Sequence, residues 1–292
     1  MKVLVIGGSG LLGRKLRDIL LEHTYDVNTT HYPDYPTEME KNYHLDITMK
    51  KDVDDVIKKI KPDVIVHTAA LTNVDECEKN KDVAENINAL GTRNIAETAK
   101  KIDAKVMYVS TDYVFDGTKG LYKEEDQVHP LNYYGFTKLK GEEAVKTILD
   151  DWIIVRTSVI YGSNNNKNFA RWILDNLQRQ KRISIVNDQY VSPTLNTDLS
   201  EQIVALLNSD AQGVFHTAGG ERINRYAFSQ IVADVFQLDK TLINAINMKD
   251  MKWVAQRPED SSLNIAKISR LKKPYKVKKA VSLLKEEIGR LT

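Results

Sequence analysis

The chain reads as an α/β protein built on a doubly wound parallel sheet, with a smaller, partly interleaved second domain. Three observations predict this. Short β-branched apolar runs alternate with helix-period patterns through the first two thirds of the chain. The runs are almost continuously apolar, as strands covered on both faces must be. Glycines 7, 10 and 13 punctuate the step from the first run to the first helix pattern.

In chain order, strands are predicted at 3–6, 27–30, 64–68, 106–110 and 153–157, with a short additional one before Asp46. Helices are predicted at 11–22, 50–60, 83–101 and 133–149. Val53, Val56, Ile57 and Ile60 illustrate the three-and-four spacing behind these assignments. Strand–helix–strand alternation implies right-handed crossovers. After Gly162 the texture changes. Residues 163–168 are polar and asparagine-rich, as in a loop. Helices follow at 169–180, 198–208 and 226–236, with strand-like runs at 183–186 and 214–216. The expected division is 1–162 for the first domain, with 183–212 returning to it, and 163–182 plus 213–292 for the second. The basic stretch 272–279 reads as a solvated face.

Composition narrows the function. The 292 residues are 42% hydrophobic, enough for a sizeable core. With 42 basic and 40 acidic residues the net charge is +2, which implies neither nucleic acid nor a membrane surface as partner. No apolar run approaches the roughly 20 residues needed to cross a bilayer, and no signal-peptide cleavage pattern follows the first strand. The one cysteine, Cys77, cannot form an internal disulfide and fits a reducing compartment. A soluble cytoplasmic protein is expected, with a homodimer as the default symmetric assembly.

Gly7-Gly8-Ser9-Gly10-Leu11-Leu12-Gly13 follows a strand and opens a helix. That context suits a dinucleotide's pyrophosphate: one glycine turns the chain, another admits the phosphates, and the last lets the helix pack on the sheet. Gly7 or Gly8 can begin the motif, since both fit the spacing. The helix start then offers free N–H groups and a positive dipole end. The second strand ends Asn28-Thr29-Thr30-His31, without the carboxylate that would bind the ribose hydroxyls of NAD. With Arg14 after the last glycine and His31 at that end, NADPH is expected over NADH, which stays possible. Asp46 and Ile47 are candidates to flank the adenine.

Tyr134 and Lys138 stand four apart and share a helix face. A nearby ammonium favours phenolate, so the pair can supply a tyrosine acid of lowered pKa. Thr111 ends the fourth long strand, where a hydroxyl points into the ligand crevice and can donate to a carbonyl oxygen. No His, Cys and Asp grouping has metal-ligand spacing, so no metal is expected for the chemistry. His67 and His216 read as core histidines.

The glycine loop, strand-end Thr111 and Tyr134-Gly135-Phe136-Thr137-Lys138, in this order, resemble the extended short-chain dehydrogenase/reductases. Ser110-Thr111-Asp112-Tyr113-Val114-Phe115-Asp116-Gly117 resembles the S-T-D-Y-V-F-D-G of the dTDP-4-dehydrorhamnose reductases among them, and Thr72-Asn73-Val74-Asp75-Glu76-Cys77-Glu78 their T-x-V-D-x-x-E. Arg156-Thr157-Ser158, Asp188-Gln189 and Arg257-Pro258 also fall in that family's order. The resemblance implies reduction of the C4 ketone of a nucleotide sugar, dTDP-4-dehydro-L-rhamnose or a relative, by Thr111, Tyr134 and Lys138. It also implies cofactor contacts at Ala69, Ala70 and Asn88, and substrate contacts at Thr72, Asp112, Tyr113, Asp188, Gln189 and Arg257, with Arg257 as the cation for the diphosphate. Two departures, Val159 where tryptophan is common and Tyr190-Val191 where F-G is, fall on the substrate side. The same scaffold serves nucleotide-sugar epimerases and dehydratases. Gly10-Leu11-Leu12-Gly13-Arg14 also looks like the loop of the non-catalytic regulatory subunit of methionine adenosyltransferase.

Overall fold

Alternate residues of the first strand go to opposite cores. Val3 and Val5 pack with one helix layer, Leu4 and Ile6 with the other, and all four are fully buried. A strand apolar on both faces requires a helix layer on each side. The computed structural model, which describes residues 1–33, 40–163 and 168–290, shows that arrangement.

The first half runs β1 (Lys2–Ile6), α1 (Leu11–Glu22), β2 (Asp26–His31), β3 (Asn42–His44), α2 (Lys50–Ile60), β4 (Val64–His67), α3 (Val74–Lys79), α4 (Lys81–Glu85), a π-helical turn (Asn86–Leu90), α5 (Gly91–Lys101), β5 (Lys105–Thr111), α6 (Tyr133–Ile148) and β6 (Trp152–Thr157). The rest runs β7 (Ile160–Tyr161), α7 (Phe169–Gln178), β8 (Ile183–Val186), β9 (Tyr190–Val191), β10 (Thr194–Leu195), α8 (Asn196–Leu207), β11 (Gly213–His216), β12 (Ile223–Asn224), α9 (Arg225–Phe236), β13 (Ile243–Ile246) and α10 (Val277–Gly289).

The central sheet is all parallel, in the order β11-β6-β5-β4-β1-β2-β3. The strand order reverses between β1 and β4, and ligands of such sheets bind beyond the strand ends at that switch point. Leu12, Leu16, Ile19 and Leu20 of α1 meet Leu199, Ile203 and Leu206 of α8 on one face. Val53, Ile57 and Ile60 of α2, Ile95 and Ala99 of α5, and Val145 of α6 cover the other. A third core joins α7, α9 and α10 to the β8–β13 pair.

Two expectations change. The helix expected at 83–101 begins at Lys81 and widens into the π-helical turn at 86–90. The widened turn holds Asn88 inward, 1% exposed, where its Oδ1 accepts the Leu71 N–H at 2.8 Å and its Nδ2 donates to the Leu71 carbonyl at 3.0 Å. Within 183–212, the segment expected to return to the first domain, α8 packs on the sheet but β8 does not. β8 pairs with β13 outside the sheet, because Ile183 and Ile185 are buried in the third core. α8 and β11 make the return, β11 forming the sheet edge beside β6. The asparagine-rich loop falls largely on 164–167, outside the described residues. In the basic stretch, Lys272 pairs with Glu201 at 2.9 Å and lies over the Tyr275 ring, so that part is packed.

Candidate active site

At the end of β1 the chain turns through Gly7, whose φ of +89° favours glycine. α1 starts tightly against that turn. A Cβ on Gly13 would lie 2.2 Å from the Gly7 carbonyl oxygen and 2.8 Å from Gly8 Cα. Gly10 is the N-cap and no side chain caps the helix, so its first N–H groups are open to an anion.

That loop forms one end of a cavity of about 1080 Å³ at the carboxyl ends of the sheet strands. Gly7, Gly10, Leu11, Leu12 and Gly13 line it, with Thr30 and His31 from β2, Asp46 and Ile47 beyond β3, and Ala69, Ala70 and Thr72 after β4. Thr111, Asp112 and Tyr113 enter from the end of β5, and Tyr134 and Lys138 from α6.

The first turn of α6 is fixed from two directions. The Asn132 side chain accepts the Gly135 N–H at 2.9 Å, and Glu78 Oε2 accepts the Tyr133 N–H at 2.9 Å. Tyr134 and Lys138 then project to one side. The Tyr134 phenol hydrogen-bonds with the Thr111 hydroxyl, which also lies 3.1 Å from Asp112 Oδ1. Lys138, 2% exposed, holds its Nζ 4.2 Å from the centroid of the Tyr108 ring. Its burial pulls its pKa down to about 7, against the pull of Glu142 and Cys77.

The expected lowering of the Tyr134 pKa by Lys138 is corrected. Burial dominates and pushes the phenol above its usual value, outweighing the Thr111 hydrogen bond. Tyr134 therefore keeps its proton at neutral pH, the form a general acid needs. Asp112, 3% exposed, accepts hydrogen bonds from Ser158 at 2.8 Å and Ser261 at 2.5 Å, and burial raises its pKa despite them.

One turn beyond Lys138, Glu142 is fully buried. Arg156 Nε and Nη2 grip it at 2.9 and 2.7 Å, and the Ser110 hydroxyl donates to it at 2.7 Å. Burial opposes its charge, but Arg156 and Ser110 prevail and hold its pKa below the usual value. This network ties the α6 helix to β5 and β6 next to Thr111.

Five residues expected at the site do not line the cavity. Arg14 turns its Nε back to the Ser9 carbonyl at 2.8 Å. Asn88 is occupied with Leu71 and with Thr137, 3.1 Å away. Asp188 accepts the Met248 N–H at 2.8 Å and braces that loop. Gln189 lies behind Tyr113, 3.5 Å from its hydroxyl, and donates to the Pro258 carbonyl at 3.2 Å. Arg257 Nη2 pairs with Asp75 at 2.9 Å, and Arg257 lines a separate cavity of about 620 Å³. Asp46 does reach the main cavity, its carboxylate also accepting from the Thr48 N–H and hydroxyl at 2.9 and 2.7 Å.

The cavity is also lined by Val159, one of the two substrate-side departures, and by Phe169 and Arg225, which spacing did not reveal. Arg225 follows the N-cap Asn224 of α9, and no motif marks it. His67 and His216 are buried, hydrogen-bonded to Thr92 and to the Tyr122 carbonyl, and burial lowers both pKa values. Among the described residues no helix is long and apolar enough to cross a membrane.

A doubly wound parallel sheet, a glycine loop at an uncapped helix and a tyrosine–lysine–threonine group on one cavity define a Rossmann-type dehydrogenase/reductase. Within that class, the chain belongs to the family described as RmlD substrate binding domain, whose model matches residues 1–288. It is 33% identical to the dTDP-4-dehydrorhamnose reductase of Aggregatibacter actinomycetemcomitans over 280 residues, 91% of this chain and 92% of that one. Its structure is similar to that of the Bacillus anthracis dTDP-4-dehydrorhamnose reductase in complex with NADP, with TM-score 0.89, 29% identity and coverage of 98% and 99%. It is also 29% identical to methionine adenosyltransferase 2 subunit beta of Xenopus laevis, over 92% of this chain and 82% of that one.

Proposed function

We propose that the chain is an NADPH-dependent reductase of a 4-keto nucleotide sugar, converting dTDP-4-dehydro-L-rhamnose or a close relative to the 4-hydroxy sugar, with NADH as a possible second cofactor. One observation carries this reading: Thr111, Tyr134 and Lys138 share a single cavity with the glycine loop.

The residues fit a dinucleotide. The space beside Gly13 that a Cβ would fill brings the turn and the helix together, and the uncapped N–H groups of α1 suit a pyrophosphate. His31 Nδ1 is buried without a hydrogen-bond partner among the described residues, beside the position expected for a 2′-phosphate. When bound, the reduced nicotinamide supplies the hydride.

The chain supplies the rest. Tyr134 donates its proton to the ketone oxygen as charge develops there. Thr111 donates a hydrogen bond that orients and polarises the same oxygen. Lys138 holds the ribose and, when charged, lowers the cost of phenolate on Tyr134. Such acid catalysis is worth about 10²–10⁴-fold. Thr72, Asp112 and Tyr113 line the same cavity, which supports their role as the residues that face the sugar.

The test is to follow NADPH absorbance across a panel of 4-keto sugar nucleotides. Turnover of at least one, with loss in the Tyr134→Phe enzyme, supports the reading. The likeness to methionine adenosyltransferase 2 subunit beta favours a second reading, a non-catalytic NADP-binding regulatory subunit. Tight NADPH binding with no turnover of any sugar, together with capture of a synthetase, would select it. Retained NAD with no net oxidation would select an epimerase or dehydratase. A homodimer in the cytoplasm completes the proposal, and sedimentation of the purified protein tests the assembly.

A further inference from the structure

A nucleoside diphosphate sugar brings two phosphates, and burying them needs a cation that can form charge-assisted hydrogen bonds. Arg257 was the expected one. Its Nη2 is committed to Asp75 at 2.9 Å, its Nη1 donates to the Ala255 carbonyl at 2.8 Å, and it opens on a different cavity. The main cavity is lined by another cation, Arg225.

We infer that Arg225 is the diphosphate-binding residue of the substrate site, held in place by Gln189. This rests on the nucleotide-sugar reading above.

The geometry is specific. Arg225 lines the cavity with Lys138, Asp112, Tyr113 and Phe169. Lys138 is buried at the tyrosine, so it cannot also reach a distant phosphate. Arg225 is half-buried, and its Nε donates to Gln189 Oε1 at 2.5 Å while its backbone N–H donates to the Gln189 carbonyl at 3.2 Å. Gln189 is 1% exposed and fixed at its other end by the Pro258 carbonyl at 3.2 Å. The guanidinium lies 5.0 Å from the Phe169 centroid, against an aromatic face. Nε is therefore taken, and hydrogen bonding among the described residues leaves both Nη groups available. Two Nη donors on a fixed plane match the oxygens of a phosphate.

The placement also assigns a role to Asp188-Gln189. Asp188 braces the Met248 loop, while Gln189 orients the cation. Gln189 is thus a positioning residue, outside the cavity itself.

The test is calorimetric titration of the NADP-loaded full chain with dTDP and with dTMP, so that the cofactor site is filled. Wild type should bind dTDP more tightly than dTMP. Arg225→Gln should weaken dTDP by about tenfold to a hundredfold, the range for a charge-assisted hydrogen bond, and remove most of the dTDP preference. Arg225→Lys should recover part of the loss. NADPH affinity, a readout of folding, should be unchanged in both variants. Arg257→Gln should leave the dTDP preference in place. An intact preference in Arg225→Gln, or its loss in Arg257→Gln alone, overturns the assignment. If wild type turns over no keto sugar yet binds dTDP through Arg225, the reductase reading fails and this one stands. If it turns over sugar with dTDP binding indifferent to Arg225, only this one fails.

Discussion

The two walls of the cavity are built by different means. The first, the phosphate-facing end, is backbone: Gly7, Gly10, Gly13 and the open N–H groups of α1, held by the turn after β1. The wall from Val159, Phe169 and Arg225 is side chain, brought in from three separate segments. Backbone recognition demands glycines at fixed spacing, so it leaves a readable trace. Side-chain recognition needs only that a group arrive, from anywhere in the chain.

The sharpest way to break the contrast is at Gly13. Gly13→Ala places a Cβ 2.2 Å from the Gly7 oxygen, so the loop and α1 cannot both keep their places. NADPH affinity should be lost outright in a fluorescence titration, where Arg225→Gln should spare it. Retained NADPH binding would mean that the first wall does not depend on close backbone approach.

Next in size is Tyr134→Phe, between the walls. Stopped-flow turnover should drop by about 10²–10⁴-fold. NADPH affinity should barely move. An equal loss of affinity would make Tyr134 a structural residue.

Glu142→Ala tests the support behind the trio. It leaves Arg156, 2% exposed, without its buried partner. Urea unfolding should show a loss of about 3–5 kcal/mol. A loss under about 1 kcal/mol would show that the α6 anchor is dispensable.

A pH series reads Lys138. Its folded pKa is depressed from 10.5 to about 7. Between those values the unfolded chain binds more protons than the folded one, so this group makes stability rise with pH across that window. Below about pH 7 its burial cost is fully present. The urea midpoint should therefore rise more from pH 7 to about 9 in wild type than in Lys138→Met. Parallel curves would mean that Lys138 stays charged when folded.

The smallest effect belongs to His31→Ala. It should cut the NADPH-over-NADH preference in kcat/KM by roughly the worth of one hydrogen bond to a charged group, about tenfold or somewhat more. An unchanged ratio would place the 2′-phosphate elsewhere.

Much of the fold was legible. Strands β1, β2, β4, β5 and β6 announced themselves as short β-branched runs, because both faces of a parallel sheet are buried. β13 did not, since Asn244 and Ala245 dilute its pattern and, among the described residues, it pairs only with β8. The π-helical turn at 86–90 has no composition signal, and the contact it carries, Asn88 with Leu71, joins segments 17 residues apart.

By itself the sequence determined the sheet, the glycine loop and the i, i+4 placement of Tyr134 and Lys138, since each follows from local spacing along one strand or helix. Only the tertiary structure decided which arginine faces the cavity, and that burial holds the Tyr134 pKa above its ordinary value. Both depend on distances between segments far apart in the chain and on how much water the folded walls exclude, and no local pattern encodes either.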